Sequence, residues 1–160
     1  MNLSQIKQAL NIRTLRADKA ERALSAARAI ESQAMNMLAT AEHQLRTFDE
    51  SYEERIAAFF ERTASGVTPE SLHSSRTFHS DLANERSGIE KVIQQAHHAV
   101  TLASQKAAKA RTDWIYASRA ADNLKEIYAK KRLEFLRDQE RAAEQDADEL
   151  SIARAFRDAG

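Results

Sequence analysis

Five histidines, His43, His73, His79, His97 and His98, are the side chains of this chain best suited to proton transfer or metal ligation. None falls at i, i+4 with a carboxylate base, so the helical zinc-protease pattern is missing. His97 and His98 are sequence neighbours and leave a helix in different directions. All five are expected at the surface or at the edge of a helix contact. Cysteine is absent, which removes disulfides and thiolate nucleophiles and suits a reducing compartment. Glu50, Glu53, Glu54 and Glu61 stand among Arg55 and Arg62, the pattern of a solvated helix face with local ion pairing. No Gly-rich loop offers a phosphate cradle, and no Ser-His-acid set is placed where a helix pair could organise it. The expectation is no catalytic residue, no metal, no cofactor and no enzymatic activity.

Charge points the same way. Basic and acidic residues number 24 each, so no global field steers the chain to nucleic acid or membrane. Residues 1–64 carry nine of each sign; residues 69–132 carry eleven basic and seven acidic, and residues 133–160 four basic and eight acidic. The basic run Lys106, Lys109, Arg111, Arg119, Lys125, Lys130, Lys131, Arg132, Arg137 is interrupted by Asp113, Asp122, Glu126 and Glu134. An acidic protein suits this run better than nucleic acid, which is not expected as a partner.

These side chains sit on elements that the apolar spacing defines. From Ile89 to Tyr128 apolar residues step 4-3-4-3 through Ile93, Ala96, Val100, Ala103, Ala107, Ala110, Trp114, Ala117, Ala121 and Leu124. A seven-residue repeat held that long keeps one stripe toward a partner helix, which is a coiled-coil seam. A second seam runs through the first 60 residues. Its a positions are Leu3, Leu10, Ala17, Leu24, Glu31, Leu38, Leu45, Tyr52 and Phe59. Its d positions are Ile6, Arg13, Ala20, Ala27, Ala34, Ala41, Phe48 and Arg55, so Arg13, Glu31 and Arg55 are polar intruders. Between the seams lies Ser65-Gly66-Val67-Thr68-Pro69-Glu70. Gly66 can end a helix in a left-handed conformation, Thr68 can cap the next, and Pro69 suits its first position. Asn2 or Ser4 can cap the first helix.

The fold class expected is all-α: a long antiparallel two-helix coiled-coil hairpin, with a helix over about 3–63, a turn over 64–69 and a helix over about 70–157. Residues 1–160 form one hairpin, of which 133–160 is a helical overhang without a partner. Opposed a and d residues of such a pair have a constant number sum, and 134 satisfies every layer: Leu45 with Ile89, Leu38 with Ala96, Leu24 with Ala110, Ala20 with Trp114, Leu10 with Leu124. Half of 134 falls in the Gly-Pro break, whereas registers one heptad away put the turn inside helical sequence. The core is expected at Leu24, Leu38, Leu45, Ile89, Ile93, Val100, Trp114 and Leu124. An Ala-rich seam buries less apolar area than a Leu seam, at about 25 cal/mol per Å², so modest stability is expected. At 1.5 Å per residue the helices would reach about 90 and 130 Å, a thin monomeric rod with little room for a shielded pocket.

Two clusters are not used up by the seam. Phe59, Phe60, Val67, Leu72 and Phe78 crowd the turn, and Ile127, Leu133, Phe135 and Leu136 flank the place where the first helix runs out. Exposed apolar groups at both ends suit a rod that bridges partners. The start, Met1-Asn2-Leu3-Ser4-Gln5-Ile6-Lys7, lacks the apolar core of a signal peptide, and no apolar stretch is long enough to span a bilayer. The cytoplasm is the expected compartment.

An Ala- and Arg-rich antiparallel hairpin with a longer second helix resembles the type III secretion stalk family, YscO-like in injectisomes and FliJ-like in flagella. The residues closest to a signature are Asn11-Ile12-Arg13-Thr14-Leu15-Arg16-Ala17-Asp18-Lys19-Ala20-Glu21-Arg22-Ala23 and Lys130-Lys131-Arg132-Leu133-Glu134. The resemblance lies in architecture and composition and covers nearly the whole chain. It implies a cytoplasmic central stalk, similar to the rotary ATPase gamma-subunit coiled coil, peripherally associated with the inner-membrane export apparatus. Such a stalk sits in the pore of a hexameric secretion ATPase and promotes its assembly or turnover. It also contacts the export-gate membrane protein and binds translocator chaperones, with a part in virulence. Carried over, Ile6, Leu10, Arg13, Tyr128, Arg132, Phe135 and Arg137 would enter the ATPase, and the turn would face the gate. Two other classes compete: a lipid-binding coiled-coil module, which the zero net charge opposes, and a generic structural adaptor or chaperone-like hairpin that dimerises through its seam.

Overall fold

The computed structural model describes every residue except Ser65 and Val67. Among the described residues two helices, α1 (Leu3–Arg62) and α2 (Pro69–Ala159), form an all-α antiparallel hairpin. Both starts are set by side-chain caps. The Gln5 backbone N–H donates to Asn2 Oδ1 at 2.8 Å and the Asn2 N–H donates to Gln5 Oε1 at 3.0 Å, so Asn2 rather than Ser4 caps α1. The same reciprocal arrangement links Thr68 and Ser71: the Ser71 N–H donates to Thr68 Oγ1 at 3.1 Å and the Thr68 N–H to Ser71 Oγ at 2.8 Å. Pro69 then takes the first helical position, where its missing N–H costs nothing.

Two glycines have opposite consequences. Gly66, just ahead of the Thr68 cap, has a φ of +135°, a conformation that a Cβ strains. Gly88 lies inside α2, which passes through it unbroken, and a Cβ there would meet no atom within 4 Å. Gly66→Ala is therefore expected to lower stability by about 1 kcal/mol, and Gly88→Ala to raise it by about 1 kcal/mol. Urea unfolding of the two variants checks the signs; shifts in the same direction would contradict this account.

The chain divides into two compact units, Ala23–Ala110 and Met1–Arg22 with Arg111–Gly160. In the first, Leu24, Ala34, Ala41 and Phe48 of α1 and Leu82, Ala103 and Ala107 of α2 are buried. Leu38, Leu45, Ile89, Ile93 and Val100 are half-buried between them. A two-helix pair screens each seam residue from one side only, so many seam side chains stay partly open. Leu82, only 2% exposed, lies one heptad before Ile89. The apolar run in the sequence stops at Ile89 because Arg86 and Gly88 interrupt it, yet the heptad continues through them.

Nearer the turn the seam changes phase. Arg55, at a d position by the heptad, is exposed, and Ile56 is half-buried instead. An ideal helix drifts against a 3.5-residue repeat, and here the drift brings an apolar neighbour inward. Arg55 donates to Glu85 at 2.9 and 3.1 Å across the helices and lies 5.6 Å from the Phe48 ring centroid. It reaches across to α2 rather than along its own helix to the glutamates beside it. Arg86 joins α2 to Asp49 at 3.0 Å and also pairs with Glu90 one turn on. Hydrogen bonding to Glu85 and to Asp49 holds the Arg55 and Arg86 guanidiniums above their ordinary range. Both pairs are exposed and align the helices more than they stabilise them.

In the second unit Ile6 and Leu124 are buried, and Leu3, Leu10, Ala17, Ala20, Trp114, Ala117, Ala121 and Tyr128 are half-buried. The intruder Arg13 is accommodated by reaching over the seam, where its Nη1 donates to the Ala120 carbonyl at 3.2 Å. Arg13 and Ala120 have numbers summing to 133, and Asp49 and Arg86 to 135. Glu42 with His97 and Arg55 with Glu85, also across the helices, sum to 139 and 140. Phe59 and Phe78, past the phase change, sum to 137. From Ala129 onward every residue is exposed, while α2 stays helical to Ala159.

Candidate functional site

The residues expected to meet partners near the turn behave in two ways. Phe59 and Phe78 stack with ring centroids 4.3 Å apart and planes 7° from parallel, and both are half-buried. They close the helix pair. Phe60 meets Phe59 edge-on at 6.1 Å and stays 52% exposed, and Leu72 is 53% exposed. Val67 lies outside the described residues. Phe60 and Leu72 are therefore the turn residues available to another molecule.

Near the start of α1 the division is similar. Ile6 is buried, Leu10 and Tyr128 are half-buried, and these three hold α1 to α2. Arg132, Phe135 and Arg137 are exposed on α2, beyond the last seam contacts. An open cleft of about 470 Å³ lies between Asn2, Leu3 and Ser4 of α1 and Lys131, Glu134, Phe135 and Asp138 of α2. Lys131 Nζ is 3.3 Å from Glu134 Oε2, so part of the charge at its rim is already paired. Farther along, Leu133, Leu136, Leu150, Ile152 and Phe156 are exposed, Phe156 at 77%.

A further feature had no counterpart in the sequence reading. In the unit Ala23–Ala110 an open groove of about 490 Å³ runs beside the seam, lined by Ile30, Met37, Val92, Ala96, Ala99 and Ala103 among others. Ile30, Met37 and Val92 are 58%, 63% and 48% exposed. Ile30 and Met37 are seven residues apart, as are Val92 and Ala99, so a heptad column beside each seam was the signal that could have revealed it. Among the histidines, His97 Nε2 stands 3.8 Å from Glu42 Oε1 across the helices, at the seam edge. Among the described residues no three His, Asp or Glu side chains gather as a metal site would need. No helix among them is long and apolar enough to cross a membrane.

Two paired helices that display their chemistry on outer faces and in open clefts define a structural coiled-coil hairpin. The YscO-like protein family matches this chain over residues 2–155, and the chain belongs to that family, a structural one associated with type III secretion. No curated protein and no solved structure is significantly similar to it.

Proposed function

We propose that the chain is a central-stalk component of a type III secretion export apparatus. It inserts into and stimulates the hexameric secretion ATPase, and it links that ATPase to the export-gate membrane protein and to substrate chaperones. It works in the cytoplasm, held peripherally at the inner-membrane apparatus. The observation that carries this reading is the continuation of α2 to Ala159 with every residue from Ala129 onward exposed. A helical extension bearing Phe135, Leu136, Leu150, Ile152 and Phe156 fits insertion into a ring whose inner wall covers it. Arg132 and Arg137 would contact the wall; Ile6, Leu10, Arg13 and Tyr128 would keep the two helices together there. Phe60 and Leu72 would then face the gate. The test is co-purification of the secretion ATPase with the tagged chain, followed by its hydrolysis rate with and without the chain. Failure to form a complex and an unchanged rate would together overturn the reading.

A structural adaptor or chaperone-like hairpin is the second reading, and the groove at Ile30, Met37 and Val92 favours it because a helix of another molecule could pack there. Sedimentation analysis separates the two. A monomer is expected of the stalk, and an obligate dimer or four-helix bundle of the adaptor.

A further inference from the structure

Of the arginines only Arg55 and Arg86 pair with carboxylates among the described residues, while Arg28, Arg46, Arg62 and Arg76 of the same unit do not. In Ala23–Ala110, Arg55 and Arg86 are tied to carboxylates across the helices. In the unit formed by Met1–Arg22 and Arg111–Gly160, Arg13, Arg16 and Arg119 have no carboxylate within ion-pair distance among the described residues. All three line clefts that share one tyrosine. Arg13 and Arg16 of α1 line a cleft of about 210 Å³ with Tyr116 of α2, and Arg13 and Arg119 line a second cleft that also includes Tyr116. Arg13 is held in place by its bond to the Ala120 carbonyl. Tyr116 is 79% exposed, standing clear of the seam. The surrounding field has the same sign, since residues 1–22 and 111–132 together carry eleven basic and five acidic residues.

We propose that Arg13, Arg16, Tyr116 and Arg119 form a docking site for a carboxylate-rich helical segment of a partner protein. Charge complementarity identifies the occupant. Three planar guanidiniums left without carboxylates are matched by side-chain carboxylates, each of which can accept two parallel N–H bonds. An exposed tyrosine ringed by arginines has the composition that anchors protein interfaces, the ring supplying contact area and the charges supplying register and approach rate. Nucleic acid fits less well, because Tyr116 alone gives no successive stacking platform. The site lies on the paired part of the two helices, where α1 and α2 both contribute side chains.

The experiment uses the full chain and a fluorescently labelled helical peptide of about 20 residues, with Glu at i, i+4 spacing on one face and Leu on the next. Its controls are the same peptide with Lys for Glu, single-stranded oligothymidine, and vesicles containing one-third anionic phospholipid. The acidic peptide is expected to bind and to weaken as salt rises. Arg16→Glu with Arg119→Glu should weaken it at least 30-fold and Tyr116→Ala about tenfold. Arg154→Glu with Arg157→Glu, remote in the sequence, should change it less than twofold. All substituted side chains are exposed, so helix content by circular dichroism should match the parent. Equal binding of the Lys peptide, an undiminished affinity in the Arg16–Arg119 variant, or tighter binding of oligothymidine or vesicles through the same arginines would each overturn the proposal.

Discussion

Ending the chain after Arg132 is expected to return secretion-ATPase hydrolysis to the rate of the ATPase alone while the remaining hairpin stays folded. The 28 residues removed are all exposed, so the truncation takes away no buried side chain. Leu3, opposite Lys131 in the expected register, keeps its neighbour, and the caps at Asn2 and Thr68 are untouched. What is lost is the surface of Leu133, Phe135, Leu136, Leu150, Ile152 and Phe156 and an acidic stretch. Unfolding of the truncated and full-length proteins should therefore occur at midpoints within a few degrees of each other, whereas stimulation should vanish. That separation matters, because a truncation that unfolds the hairpin would abolish stimulation for a trivial reason. Full stimulation by the folded, truncated chain would sink the assignment of this end to the ATPase. Phe135→Ala with Phe156→Ala offers a finer version, expected to cut stimulation severalfold with helix content unchanged.

Phe48→Ala should be the most damaging truncation of a single seam side chain. The ring is 5% exposed, stands 6.2 Å from Tyr52, and lies under the Arg55 guanidinium. Its loss removes the largest buried side chain of the unit Ala23–Ala110, whose other buried members are Ala34, Ala41, Ala103, Ala107 and two leucines. Burial of a Phe side chain replaced by Ala costs about 3 kcal/mol in well-packed sites. In a chain whose total stability is on the order of 5–15 kcal/mol, that is a large fraction. The urea midpoint should fall by about 1–2 M at the usual slopes. Phe156→Ala, at a site 77% exposed, should leave the stability within about 0.5 kcal/mol of the parent. Similar midpoints for the two variants would show that Phe48 is not packed as described.

The candidate surfaces were legible only in outline. Sequence spacing singled out Phe59, Phe60, Leu72 and Phe78 as an apolar excess near the turn, but it could not tell which of them pack on one another. Stacking of Phe59 on Phe78 removes that pair from the surface and leaves Phe60 and Leu72 outside. Likewise Ile6, Leu10 and Tyr128 were grouped with Arg132, Phe135 and Arg137, and burial separates the two sets. The groove at Ile30, Met37 and Val92 and the cluster around Tyr116 each combine side chains from both helices, more than 50 residues apart in sequence. A window along one helix contains the heptad column of each groove wall but not the pairing of the two walls, and nothing of the Tyr116 cluster.

The number of helices, their boundaries and caps, and the stripe each turns inward were determined by local chemistry. Helix-forming residues, a seven-residue apolar period, and the Gly-Val-Thr-Pro break act over a few residues, so their effect is written where they occur. The tertiary structure decided what happens to the residues that break the period. Arg13 could have ended its seam or reached across it, and only the proximity of the Ala120 carbonyl settles that it reaches. Arg55 gave way to Ile56 because Glu85 and the Phe48 ring are there to receive its charge. Arg16 and Arg119 have no such receivers, which depends on what the opposite helix presents at that height. Periodicity specifies which face turns inward; the partner helix specifies whether a charge beside that face is satisfied within the chain or left for another molecule.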